Sequence, residues 1–82
     1  MTAMTFDEAL AMMAEAFDEP VQNLAPGVAR TSVRGWDSMG ALMLIAEIDE
    51  RFGLELPAEE SRGMKQISDV LDFMRRHGVL AE

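Results

Sequence analysis

Phe6, Leu10, Met13, Ala14 and Phe17 recur at intervals of three and four residues, the spacing of a single apolar stripe on an α-helix. Thr5 and Glu8 stand three apart at the start of that stripe. The pair predicts a capping box, in which the threonine hydroxyl accepts from a first-turn amide and the glutamate reaches back to the cap amide. A first helix beginning at Phe6 follows. Pro20 limits it, because proline favours an extended backbone at the preceding Glu19.

From Val21 to Trp36 the apolar positions lose their period, and Pro26-Gly27 is a turn signal inside the stretch. A loop of about 15 residues is long for a small fold, and such loops are functional or tied down by their own side chains. Leu24, Val28, Val33 and Trp36 are the candidates for tying this one down.

Periodicity returns at Ser38 and predicts a second helix to Phe52, with Gly53 placed where a left-handed conformation ends a helix. Pro57 fits the first position of a short third helix running through Ala58, Glu59, Glu60 and Ser61. A last helix reads from about Gln66 to His77 and buries Ile67, Val70, Leu71 and Met74. Its final turn carries Arg75, Arg76 and His77, where cations suit the helix dipole, and Gly78 stops it. No segment alternates apolar and polar long enough for a strand. The expected fold is all-α: a small antiparallel four-helix bundle of three main helices and one short one, with a long loop between helices one and two, forming a single domain over residues 1–82.

Helix two is apolar on more than one side. At 100° per residue, Ala41, Leu44, Ile45, Ile48 and Phe52 fall in one arc, the expected core face. Met39, Leu42, Met43 and Ala46 form a second arc, with Asp49 and Glu50 interspersed, leaving Gly40, Glu47 and Arg51 as the polar side. So short a chain has few elements to cover a second face. Either that face meets a partner, with methionines as adaptable contacts, or the long loop folds back over Met39 and Met43.

Composition narrows the chemistry. The chain has no cysteine and one histidine, His77, so it offers no disulfide, thiolate nucleophile or zinc site. Fifteen acidic side chains against seven basic ones give a formal net charge of -8. Such a surface repels nucleic acid and anionic membranes and favours basic partners, although solubility alone accounts for the same charge. No apolar run approaches the roughly 18 residues of a membrane span, and no secretory signal is evident. A cytoplasmic, monomeric protein is the expectation.

Ser38 sits between the two apolar arcs at the start of helix two, where unpaired amides and the positive end of the dipole favour a phosphate group. As a catalytic nucleophile it lacks a base, since His77 lies at the far end of the chain. Gly35-Trp36-Asp37-Ser38-Met39-Gly40 does not fit the G-x-S-x-G elbow either. The chain is not expected to be an enzyme. On a purely local reading, Asp37 caps the helix and Ser38 is its first residue.

Asp37-Ser38-Met39 resembles the Asp-Ser-Leu motif of acyl and peptidyl carrier proteins. The resemblance continues through Ile45, Ile48, Asp49, Glu50, Phe52, Glu55, Leu56 and Pro57 to Glu59 and Glu60, and takes in the last helix from Ile67 to Met74. It implies a four-helix carrier fold with 4'-phosphopantetheine attached covalently to Ser38. A phosphopantetheinyl transferase would install the arm from coenzyme A, using magnesium at its own site. A loading ligase and downstream acyl-processing enzymes would then use the arm's thiol, which holds an acyl or aminoacyl group as a thioester. By the same resemblance Asp37 helps bind the transferase and its metal, and Met39, Leu42, Met43, Ala46, Asp49 and Glu50 form the docking face. Carriers of fatty acid synthesis commonly have acidic residues where this chain has Gly40 and Met43. The Asp37-Ser38-Met39-Gly40 run is more similar to D-alanyl and stand-alone peptidyl-type carriers, which favours an amino acid or short acyl cargo. The alternative is an interaction adaptor that uses the same helix-two face and is never modified.

Overall fold

In the computed structural model, which describes residues 3–81, Thr5 opens the first helix as its spacing predicts. Its hydroxyl accepts from the Glu8 amide at 3.1 Å, and the Glu8 carboxylate accepts from the Thr5 amide at 2.9 Å. Helix α1 spans Phe6–Phe17. The buried stripe is Ala9, Leu10, Met12, Met13, Ala16 and Phe17, whereas Phe6 is exposed and Ala14 only half-buried. The stripe is therefore rotated from the expected one. Two alanines help define it, and their small side chains carry little weight in a pattern of large apolar residues. The helix stops at Asp18, which takes the left-handed conformation (φ 52°) and donates its amide to the Ala14 and Glu15 carbonyls.

The segment between α1 and the next long helix is a loop held down along its length. It contains two short 3-10 turns, Val21–Asn23 and Arg30–Ser32. Leu24, Val33 and Trp36 are buried and Val28 packs half-buried against them. Trp36 stacks on Phe17 with ring centroids 4.9 Å apart, which seats the end of the loop on the end of α1.

Helix α2 spans Ser38–Phe52 and ends in left-handed Gly53, as expected. Helix α3 is Ala58–Gly63 with Pro57 as its cap rather than its first residue, and α4 is Ile67–Arg76 with Gln66 and His77 as caps. These end differences, together with the extension of α3 from Ser61 to Gly63, are one or two residues each, the ordinary fraying of helix boundaries. Ile67, Val70, Leu71 and Met74 are buried as predicted, and Phe73 joins them. Four α-helices and no strand are found among the described residues; two isolated bridges, Met4 with Leu80 and Ala29 with Gln66, tie distant segments together.

The second bridge belongs to a set of bonds that finishes α4 from outside. The first amides of a helix have no carbonyl of their own to bond. Here the Ile67 amide donates to Val28 O at 3.0 Å and the Ser68 amide to Pro26 O at 2.8 Å, so the loop supplies the missing acceptors. The Asp69 carboxylate accepts from the amides of Lys65 and Gln66.

One expectation for α2 is corrected. Gly40 is not on a polar side with Glu47 and Arg51; it is buried. A Cβ built on it would stand 1.8 Å from the Gly35 carbonyl oxygen, and a Cβ on Gly35 would stand 1.7 Å from the Phe17 carbonyl oxygen. Three backbone segments thus pass through one point, possible only without side chains. Arg51 is exposed and Glu47 half-buried beside it, paired at 2.8 Å, and that hydrogen bond raises the guanidinium pKa above its ordinary value.

Candidate functional site

Ser38 is placed by its neighbours on both sides. Asp37 is the N-cap of α2; its Oδ1 accepts from the Gly40 amide at 2.9 Å and its backbone carbonyl accepts from Ala41. Trp36 is buried just before it, and the crossing of Phe17, Gly35 and Gly40 fixes the loop against the helix start. Ser38 itself is exposed, and its hydroxyl makes no hydrogen bond among the described residues. The amides of Ser38 and Met39, first in the helix, have no intrahelical acceptor. A free hydroxyl thus stands on a rigid mount with the positive end of the α2 dipole beneath it.

Arg30 ties the loop to α3. Its Nε donates to Trp36 O at 3.3 Å, its Nη1 donates to Ser61 O at 3.1 Å and Met64 O at 3.3 Å, and its guanidinium carbon lies 5.2 Å from the Trp36 ring centroid. Beside Ser38 is a cavity of about 230 Å³ between α2 and α3. Ala41, Leu42, Ile45 and Ala58 give it apolar walls, with Ser61, Arg30 and Arg62 completing the lining. Larger clefts lie elsewhere, one between the start of α1 and the end of α2 and another beside Arg34 at the end of α1. Neither includes Ser38. The Trp36 indole Nε1 is buried with no acceptor among the described residues, a cost of about 1–3 kcal/mol of which the stacking on Phe17, about 0.5–1.5 kcal/mol, offsets part.

The loop does not cover the second face of α2. Met39 is 67% exposed, Leu42 59% and Met43 45%, and Ala46, Asp49 and Glu50 are exposed along the same helix. Trp36 stacks on Phe17 instead, and Leu24 and Val33 are buried in the common core. Contiguous exposed methionine and leucine beside acidic residues make an apolar patch with a charged border.

No base reaches Ser38. Among the described residues its hydroxyl has no imidazole or carboxylate partner, and His77 lies tilted against Phe73 at the end of α4 with centroids 4.5 Å apart. No group of three or more metal-ligating side chains occurs among these residues, and no helix is long and apolar enough to cross a membrane.

The sequence marks Asp37 as the cap and Ser38 as the first residue of α2, as observed, but gives no sign that Arg30 and Arg62 lie beside Ser38 or that Gly35 and Gly40 cross. Arg30 stands in an aperiodic loop, where nothing local says which way a side chain turns. A glycine five residues from another was the only trace of the crossing.

No family model matches the chain. Individual proteins do. An acyl carrier protein of Thermosynechococcus vestitus is 31% identical over 64 residues, covering 78% of this chain and 79% of that protein. An acyl carrier protein of Acidothermus cellulolyticus is 25% identical over 83 aligned positions, 96% of this chain and 99% of that protein. Another, from Rickettsia bellii, is 33% identical over 43 residues, and there the match spans about half of each chain.

Proposed function

Because this chain belongs to the acyl carrier protein family, we propose that it acts as one carrier domain over its 82 residues, holding an acyl or aminoacyl group on a 4'-phosphopantetheine arm attached to Ser38. The observation that carries the reading is the exposed Ser38 hydroxyl, free of hydrogen bonds among the described residues, on a mount of buried Trp36, Asp37 cap and glycine crossing. The residues present fit the group. An anionic phosphodiester on Ser38 Oγ would stand at the positive end of α2, next to first-turn amides that lack acceptors, and beside a partly apolar cavity.

In loading, a bond forms between Ser38 Oγ and the phosphorus of coenzyme A that bears pantetheine. The pyrophosphate bond breaks, the adenosine bisphosphate departs and the hydroxyl proton leaves to a base. That base belongs to a phosphopantetheinyl transferase, since Ser38 contacts none of its own. Bound, the arm supplies the thiol that this cysteine-free chain lacks. Asp37 keeps the hydroxyl in place through its cap, with Oδ2 left to face the transferase and its magnesium. Met39, Leu42, Met43 and Ala46, bordered by Asp49 and Glu50, form the docking face for the transferase, the loading ligase and later acyl-processing enzymes in the cytoplasm. The acidic surface steers basic partners to it. The carrier presents substrate and performs no reaction itself.

Intact mass before and after incubation with coenzyme A, magnesium and a broad-specificity phosphopantetheinyl transferase tests the proposal. One added phosphopantetheine is expected on the wild type and none on Ser38→Ala, with stability changed by no more than about 1 kcal/mol. Loading that persists in Ser38→Ala moves the attachment site. An unchanged wild-type mass beside a competent control carrier leaves the unmodified adaptor as the better account.

A further inference from the structure

The seven cationic side chains of this acidic chain are not equally occupied. Arg51 pairs with Glu47 and Glu15, Arg75 with Asp72, and Arg76 with Glu60. Arg30, Arg34, Arg62 and Lys65 have no carboxylate partner among the described residues, and of these four Arg30 and Arg62 line the cavity that Ser38 lines. Arg30 is half-buried. A guanidinium carries five N–H donors. Three hydrogen bonds to the carbonyls of Trp36, Ser61 and Met64 use Nε and Nη1, leaving both Nη2 hydrogens without an acceptor. A half-buried cation held by carbonyl oxygens alone, with spare donors in a cavity, is a place for an anion.

We propose that Arg30 and Arg62 form an anion site beside Ser38 that takes the phosphodiester joining the arm to Ser38 Oγ. The inference rests on the carrier reading above and adds to it two binding residues outside the Asp-Ser-Met motif. Arg30 is the fixed half of the site, set by its three carbonyl contacts and the Trp36 ring. Arg62, exposed in the last turn of α3, is the half that closes over the phosphate. The sign of the effect is diagnostic. Another negative charge on a chain of net charge -8 destabilises it unless cations receive that charge.

The test compares thermal unfolding of the unloaded protein with that of the protein bearing a bare phosphopantetheine arm, in wild type and in Arg62→Gln, with mass confirming the loading. At low salt, loading is expected to raise the wild-type Tm by several degrees. The gain should shrink in about 0.5 M NaCl, where screening acts within a few ångströms. Arg62→Gln removes a cation from an acidic chain and so lowers the unloaded Tm slightly; measured against its own unloaded protein, it should lose at least half of the gain. Side-chain NMR of Arg30 provides a second readout, its Nη2 hydrogens shifting on loading in the wild type. A zero or negative Tm change on loading, or a gain that survives both salt and Arg62→Gln, overturns the anion site; a surviving gain would come from apolar packing of the arm. Failure of the mass to change is a different result, which overturns the carrier reading and the inference with it.

Discussion

Gly40 shows how one residue can mislead a motif and inform a structure. Its hydrogen stands where a Cβ would lie 1.8 Å from the Gly35 carbonyl oxygen, a backbone atom with no room to retreat because Gly35 itself rests against Phe17 O. Gly40→Ala is therefore expected to cost about 3 kcal/mol or more, the upper range for overpacking. Gly63→Ala, with nothing within 4 Å of the new methyl, should be neutral or gain about 0.5 kcal/mol. Urea unfolding of the two variants checks the contrast, and equal costs would mean the crossing gives way. The absence of an acidic residue at position 40 then has a packing cause. It ceases to argue for an amino acid cargo over a fatty acyl one. Ser38 and Asp37 were legible because a cap and a helix start are local features, fixed by neighbours within a turn. The partners of Gly40 and Arg30 were not, since both depend on how a loop without periodicity crosses other elements.

Among the elements, α2 bears three demands on one cylinder: a core face, an exposed apolar face and a crossing point. Its boundaries were readable to the residue, because Asp37 and Gly53 are strong terminal signals and both act as caps. Its exposed face was readable as a surplus, more apolar residues than a chain this small can cover. What the sequence left open was whether the loop covers Met39 and Met43, and the answer lies in Trp36, which stacks on Phe17 and draws the loop to α1. Met43→Glu is expected to leave urea unfolding unchanged within about 0.5 kcal/mol, the usual range for an exposed site. It should weaken binding to a phosphopantetheinyl transferase at least tenfold, roughly 1.4 kcal/mol, because the interface would have to desolvate a carboxylate. Titration calorimetry measures the second effect. Unfolding of the variant would make Met43 a core residue despite its 45% exposure.

At the scale of the whole molecule, acidic and basic side chains are unevenly matched. The Arg51, Arg75 and Arg76 pairs are exposed and each contributes at most about 1 kcal/mol, so the surplus of negative charge acts mainly as diffuse self-repulsion. The unloaded protein should accordingly gain thermal stability as NaCl rises from about 0.05 to 0.5 M. A flat or falling Tm would mean that local pairs outweigh the net charge. The all-α class and the order of four helices could be read from periodicity and caps. The bonds that join loop to α4 could not, for they run between backbone groups that carry no sequence signal. Those bonds also bear on how the chain reaches its fold. The amides of Ile67 and Ser68 wait on carbonyls of Val28 and Pro26, with all of α2 and α3 lying between them in the chain. Helical proteins gain speed from low contact order, and here the first turn of the last helix gives some of it up. The first turn of α4 can close on its own bonds, but its outermost amides exchange water for protein acceptors only once the loop before α2 is in place. The junction between the least regular segment and the last helix is therefore expected to be completed late.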